Sequence, residues 1–269
     1  MLNISKEYVN QEPFPHAIID QILVESEFDS LLNEFPNEDY FNKLKPVMGN
    51  RRRLASEDKE FYQFLTESNA WRKFYEYVNS EDFAKRFINI FNGQLRRYTC
   101  SIESIDNLIF DQNYYKRKAY SREPGFLLKL VNFLKKKLKK DIKNVPKKYF
   151  VHLDLSAAHN GYSREVHTDN RNRIAAMLIY FSGKDEIGGS GGDLILHSHK
   201  FKKNQNEYER FPNDEDVVEI TKVEPNSNRG VMFLCTNNSY HSVEKIIDAK
   251  GWRKFIYLGI TTDADNIWI

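Results

Sequence analysis

The triplet His167-Thr168-Asp169 sets an imidazole and a carboxylate two residues apart. On an extended strand, side chains at i and i+2 leave from the same face, so the two groups would reach one point together. Two histidines and one carboxylate on one face of an octahedron bind Fe(II) and leave three positions open, the arrangement that activates O2. A lone His-x-Asp arises readily by chance in a chain with seven histidines, and a strand histidine satisfied within the fold is its ordinary alternative. A third ligand and an ordered context are therefore required.

That context follows downstream. The chain continues with Gly188-Gly189-Ser190-Gly191-Gly192-Asp193-Leu194, then Pro225 and Gly230, Val231-Met232-Phe233, Tyr240-His241-Ser242-Val243 and Gly251-Trp252-Arg253. In this order and spacing the residues resemble the prolyl 4-hydroxylase-like branch of the 2-oxoglutarate/Fe(II)-dependent dioxygenase superfamily. The resemblance spans about residues 149 to 262, with a weaker echo in Pro13-Phe14-Pro15-His16-Ala17-Ile18-Ile19-Asp20. It implies that His167, Asp169 and His241 are the iron ligands and that Arg253 binds the distal carboxylate of 2-oxoglutarate. A guanidinium fork suits that task because it meets a carboxylate with two hydrogen bonds. Tyr180 matches a position that often hydrogen-bonds the cosubstrate, although a strand tyrosine serves equally as core packing. One departure stands out: where many relatives carry an Arg-Tyr or Asn-Tyr pair before the triplet, this chain has Ser156-Ala157-Ala158. The usual aromatic lining there is missing or displaced.

The resemblance implies an enzyme using Fe(II), O2 and 2-oxoglutarate, with ascorbate as a supporting reductant. It would hydroxylate a C–H bond and release succinate and CO2. Halogenation is disfavoured because Asp169 fills the position that related halogenases leave open. AlkB-type nucleic-acid demethylation would place an Arg and an Asn soon after Arg253, where the chain reads Lys254-Phe255-Ile256-Tyr257-Leu258. A small-molecule or amino-acid substrate ranks first, since no peptide-docking module is evident. Peptidyl, prolyl-type hydroxylation is the alternative, and a metal-binding jelly-roll scaffold without turnover is the non-enzymatic one.

The remaining histidines have plainer readings. His197 and His199 are also two apart, but Lys200, Lys202 and Lys203 would repel a cation, so they are expected at a strand end on the surface. His152 and Asp154 share one face of a strand, and periodicity does not tell whether that face is interior. His159, beside Asn160-Gly161, reads as a loop residue. The glycine-rich run lacks a P-loop Lys-Ser/Thr and a following helix, so it reads as a turn into the next strand and not as a phosphate cradle.

An α+β fold must position these groups. After Pro146 the spacing predicts eight short strands: Tyr149 to Leu155, Arg164 to Asp169, Ile174 to Phe181, Asp193 to His197, Val217 to Val223, Gly230 to Cys235, His241 to Ile246 and Lys254 to Thr261. Eight short strands suit a double-stranded β-helix, or jelly roll, or a barrel. Before them come a strand at His16 to Asp20 and helices at Glu25 to Phe35, Lys59 to Glu67, Asn69 to Asn79 and Glu81 to Asn92, the last capped by Ser80. A further helix is expected from Gly125 to Lys140, its lysines forming a solvated face. The chain reads as a single domain over 1–269, with a mainly helical N-terminal part (1–145) buttressing a jelly-roll catalytic core (146–264).

Composition limits the rest. With 40 basic and 38 acidic residues, net +2, nothing marks a dedicated nucleic-acid binder. The longest apolar stretch, Ile174 to Phe181, is far short of the roughly 20 residues a membrane helix needs, and the N-terminus has no signal-peptide core. A cytoplasmic protein is expected, with oligomeric state left open. Cys100 and Cys235 make no disulfide framework, and Cys235 in Val231-Met232-Phe233-Leu234-Cys235 reads as a small buried thiol.

Overall fold

The period-2 alternation of the second half sorts each strand into two faces, and the two faces meet different partners. A computed structural model describes residues 1–121, 145–201, 204 and 207–269. The helix expected at Gly125 to Lys140 lies outside the described residues, as do Lys202 and Lys203.

Among the described residues the strands are β1 (Val9–Asn10), β2 (His16–Ile19), β3 (Arg51–Ala55), β4 (Ile109–Phe110), β5 (Lys148–Ala158), β6 (Arg164–His167), β7 (Arg173–Tyr180), β8 (Leu194–His199), β9 (Val217–Val223), β10 (Gly230–Leu234), β11 (His241–Val243) and β12 (Arg253–Thr262). The major sheet runs β1-β2-β10-β7-β12-β5-β3, with β4 pairing parallel to β5, and the minor sheet runs β6-β11-β8-β9. All eight strands expected after Pro146 are present. The fold is α+β, with a two-sheet jelly-roll core.

On β5, Tyr149, Val151, Leu153, Leu155 and Ala157 join the larger hydrophobic core, while His152, Asp154 and Ser156 point the other way. The same split divides β7 into Ala175, Met177 and Ile179 against Ala176, Leu178 and Tyr180. The first set packs against helices α1 (Glu25–Asn33), α2 (Glu38–Asn42), α3 (Lys59–Glu67), α4 (Asn69–Val78) and α5 (Glu81–Asn89). In α4, Trp71, Phe74 and Val78 recur at helical spacing and are buried, which gives this short helix one apolar stripe. Caps fix the starts: the Ser68 hydroxyl accepts from Trp71 N–H and the Ser80 hydroxyl from Phe83 N–H, both at 3.2 Å. Among the described residues, short helices α6 (Gln94–Arg97), α7 (Tyr114–Tyr120) and α8 (Lys184–Ile187) complete the set.

The N-terminal part does more than buttress. β3 was not foreseen, because Arg51-Arg52-Arg53 carries no strand pattern, yet it pairs along the edge of β5 with Arg51 opposite Ala158 and Arg53 opposite Ser156. No helix among the described residues is long and apolar enough to cross a membrane.

Candidate metal centre

His241 on β11 stands directly opposite His167 on β6, and their ring centres are 4.3 Å apart. β6 ends at His167, so Asp169 is not carried by the strand, as its i+2 spacing had implied. It occupies the loop to β7, and side chains hold its carboxylate in place. Arg173 pairs with Oδ1 at 2.9 Å, the Tyr257 hydroxyl donates to Oδ2 at 3.0 Å, and the Cys235 thiol donates to Oδ2 at 3.4 Å. One ligand atom from each of His167, Asp169 and His241 lies within 4.8 Å of the others. Among the described residues no other His, Cys, Asp or Glu trio converges in this way.

The backbone sets the tautomers. His167 Nδ1 lies 2.8 Å from the Glu165 carbonyl and His241 Nδ1 lies 3.0 Å from the Ser239 carbonyl. A carbonyl only accepts, so each Nδ1 carries the proton and each Nε2 keeps its lone pair. Burial lowers the His167 pKa to about 3, with the neighbouring His241 acting in the same direction, and burial also lowers that of His241. For Asp169 burial acts upward, but Arg173 and the two imidazoles outweigh it and hold the carboxyl far below its usual range. Two neutral imidazoles and one ionised carboxylate are the donor set that a divalent iron accepts.

These groups open into a cavity of about 360 Å³ between the two sheets. His152 and Asp154 line it, so their face of β5 is interior. Arg51 reaches from β3 to Asp154 at 2.8 and 2.9 Å and to the Ser156 hydroxyl at 2.9 Å. This buried pair occupies the stretch where the expected aromatic lining is absent. The residues missed by sequence reading are Arg51, Arg53, Arg164, Arg173 and Tyr257. Arg173 offered a signal in its i+4 spacing from Asp169, whereas Arg51 depended on an unforeseen strand.

Arg253 is buried at the start of β12, its guanidinium 5.4 Å from the ring centres of both Tyr162 and Phe255. Those two rings line the cavity, and Arg253 sits against them without lining it directly. One nitrogen donates to the Gly192 carbonyl, while Nε is buried without a partner. Gly192 has φ +83°, and a Cβ there would stand 2.6 Å from Arg253 Nη1. The glycine run thus makes room for the guanidinium besides turning the chain into β8. Tyr180 is fully buried, its ring centre 6.4 Å from that of Phe255, and burial raises its pKa to about 12 against the opposing charge of Arg253.

One expectation needs correction. His197 is not at the surface: it is 4% exposed and its Nε2 lies 2.8 Å from the Ser242 hydroxyl, because β8 is flanked by β9 and β11 on both edges. Cys235 is buried as expected, but its thiol also braces Asp169. His159 does lie beyond the end of β5, its ring centre 5.1 Å from that of Trp252.

Residues 145–259 match the model of the 2OG-Fe(II) oxygenase superfamily. Among solved structures, the chain is similar to a prolyl 4-hydroxylase from Phytophthora capsici, with 14% identity, a TM-score of 0.46 and coverage of 93% of this chain. It spans only 60% of the length of that protein. A Pseudomonas putida prolyl-4-hydroxylase is similar at 15% identity and TM-score 0.43, with 91% of each chain covered. A Trichoplax adhaerens prolyl hydroxylase solved with a hypoxia inducible factor peptide fragment matches at 15% identity and TM-score 0.40, covering 91% of this chain and 83% of that one. No curated protein matches the chain.

Proposed function

We propose that the chain is a Fe(II)/2-oxoglutarate-dependent dioxygenase that hydroxylates a C–H bond of a small molecule or amino acid. The observation that carries this reading is the His167, Asp169, His241 trio, with each imidazole fixed by a backbone carbonyl so that Nε2 is left to ligate. Arg253, with its partnerless buried Nε, is the residue assigned to the distal carboxylate of 2-oxoglutarate, and Tyr180 is assigned to the same cosubstrate. Bound iron with 2-oxoglutarate and O2 supplies the oxidation, releasing succinate and CO2, with ascorbate as a supporting reductant.

The protein's share is positioning. Arg173, Tyr257 and Cys235 fix the Asp169 carboxylate, and the Phe233 ring packs at a tilt against that of His241, their centres 4.8 Å apart. Leu178, Leu194, Val243 and Phe255 give the cavity an apolar share, which limits water near the reacting carbon. A volume of about 360 Å³ falls at the small end of ligand sites and favours a small substrate over a large one. The whole chain, 1–269, is assigned to this one domain, and two free cysteines fit a reducing compartment.

The test is succinate release from 2-oxoglutarate with Fe(II) and ascorbate, across panels of small molecules, amino acids and proline-containing peptides. Release that rises with a small molecule or amino acid is expected. A response confined to peptides assigns the alternative, peptidyl hydroxylation. Absence of both release and 2-oxoglutarate binding leaves only a metal-binding scaffold.

A further inference from the structure

The cavity holds more positive charge than its own carboxylates balance. Arg51, Arg53, Lys118, Arg164, Arg173 and Arg210 line it, against Glu57, Asp154 and Asp169. Every one of those carboxylates is already taken. Asp154 pairs with Arg51 at 2.8 Å, Asp169 with Arg173 at 2.9 Å, and Glu57 with Arg53 and with Lys118, the latter at 3.1 Å. Among the described residues, Arg164 and Arg210 are left with no ion-pair partner in the cavity. Arg210 lies 5.3 Å over the Phe211 ring and is exposed, while Arg164 is half-buried.

Arg164 is aimed inward by an irregularity in β6. Opposite β11, His241 pairs with His167 but Val243 pairs with Arg164, so three steps on β6 face two on β11. In a regular strand Arg164 and His167 would leave from opposite faces. The extra residue in this bulge returns Arg164 to the ligand face, a use to which bulges beside functional sites are put. All four residues border the cavity as a result.

A guanidinium held beside a would-be metal centre with no carboxylate partner of its own is free to bind the acid group of a ligand. Iron(II) and 2-oxoglutarate would not balance its charge, because their formal charges cancel. We propose that the site takes an anionic small molecule, a carboxylate or a phosphate, whose acid group is bound by Arg164 and Arg210. His152 adds a neutral contact: it lines the cavity, and its Nδ1 is buried without a hydrogen-bond partner. The inference rests on the dioxygenase reading for the cancelled charges, and it adds the substrate class.

The test uses paired probes, each an acid and an uncharged counterpart. Glycerol 3-phosphate against glycerol, and N-acetylglycine against N-acetylglycinamide, are titrated into the full chain carrying Mn(II) and saturating 2-oxoglutarate. At least one acid should bind about tenfold or more tightly than its neutral partner, as a charge-assisted contact requires. Arg164→Ala and the longer-chained Arg164→Gln should both abolish that preference, and Arg164→Lys should keep part of it. The acid that wins separates phosphate from carboxylate. Equal binding of acids and neutral partners would overturn the proposal, and so would a preference that survives both Arg164→Ala and Arg164→Gln. If the starting chain fails to bind 2-oxoglutarate with Mn(II) present, the dioxygenase reading itself has failed, an outcome visible before any probe is added.

Discussion

The Tyr257 hydroxyl donates to Asp169 Oδ2 across 3.0 Å, tying the last strand of the major sheet to a carboxylate in the loop after β6. Outer groups of this kind orient a ligand and tune its basicity, and their loss lowers metal affinity by about 10- to 100-fold. Tyr257→Phe should therefore weaken Mn(II) binding in that range with only a small change in thermal midpoint. Unchanged metal affinity in a titration would show that Asp169 is held adequately without this bond.

Arg253 and Gly192 form a second linked pair. Arg253→Ala is expected to raise the 2-oxoglutarate concentration needed for half-saturation by more than tenfold while iron binding stays intact. Gly192→Ala should move in the same direction, since its Cβ would meet Arg253 Nη1 at 2.6 Å and its φ of +83° disfavours any side chain. Equal loss of iron and of 2-oxoglutarate binding in Arg253→Ala would contradict the separate roles.

The Arg51–Asp154 pair concerns stability. Both side chains are at least nine-tenths buried, and Asp154 also accepts from the Ser156 hydroxyl at 2.6 Å. Asp154→Asn leaves the Arg51 charge in the interior uncompensated, and breaking such a pair costs about 3 to 5 kcal/mol. Replacing both partners by apolar residues should cost less than the single change. Denaturant unfolding of the single and double variants checks this, and a double variant less stable than Asp154→Asn would rule the argument out.

Acid should act through the buried histidines. Burial lowers the His152 pKa to about 4, and that of His167 to about 3, from an unfolded value of 6.5. Below pH 6.5 the unfolded chain takes up protons that the folded chain refuses, so stability is greatest above that pH and falls as pH drops toward 4. The metal-free thermal midpoint is expected to decline between pH 7 and pH 5, and His152→Gln should flatten part of the slope. Metal affinity, which needs neutral imidazoles, should hold well below pH 6.5. A midpoint that is flat over this range would count against buried neutral histidines.

Much of this architecture was legible in the residues, for identifiable reasons. The alternation along Tyr149-Phe150-Val151-His152-Leu153-Asp154 is strong because one face meets a hydrophobic core and the other a polar cavity. Ser80 with Glu81 and Asp82 marked a helix start that the structure keeps, with α5 ending at Asn89 and not Asn92. What stayed hidden depends on long-range partners. β3 is three arginines followed by Leu54 and Ala55, and only pairing with β5 makes it a strand. Arg164 faces inward because of a bulge that local pattern does not encode. Asp169 is positioned by Arg173, Tyr257 and Cys235, which its spacing from His167 does not foretell.

The central claim is that His167, Asp169 and His241 hold one iron to which 2-oxoglutarate then binds. An anaerobic titration of the full chain with Fe(II), followed by 2-oxoglutarate, tests it most directly. The account predicts one Fe(II) per chain, 2-oxoglutarate binding only once the metal is present, and loss of both in His241→Ala and in His167→Ala. Iron binding that survives both substitutions, or 2-oxoglutarate binding that ignores the metal, would contradict it.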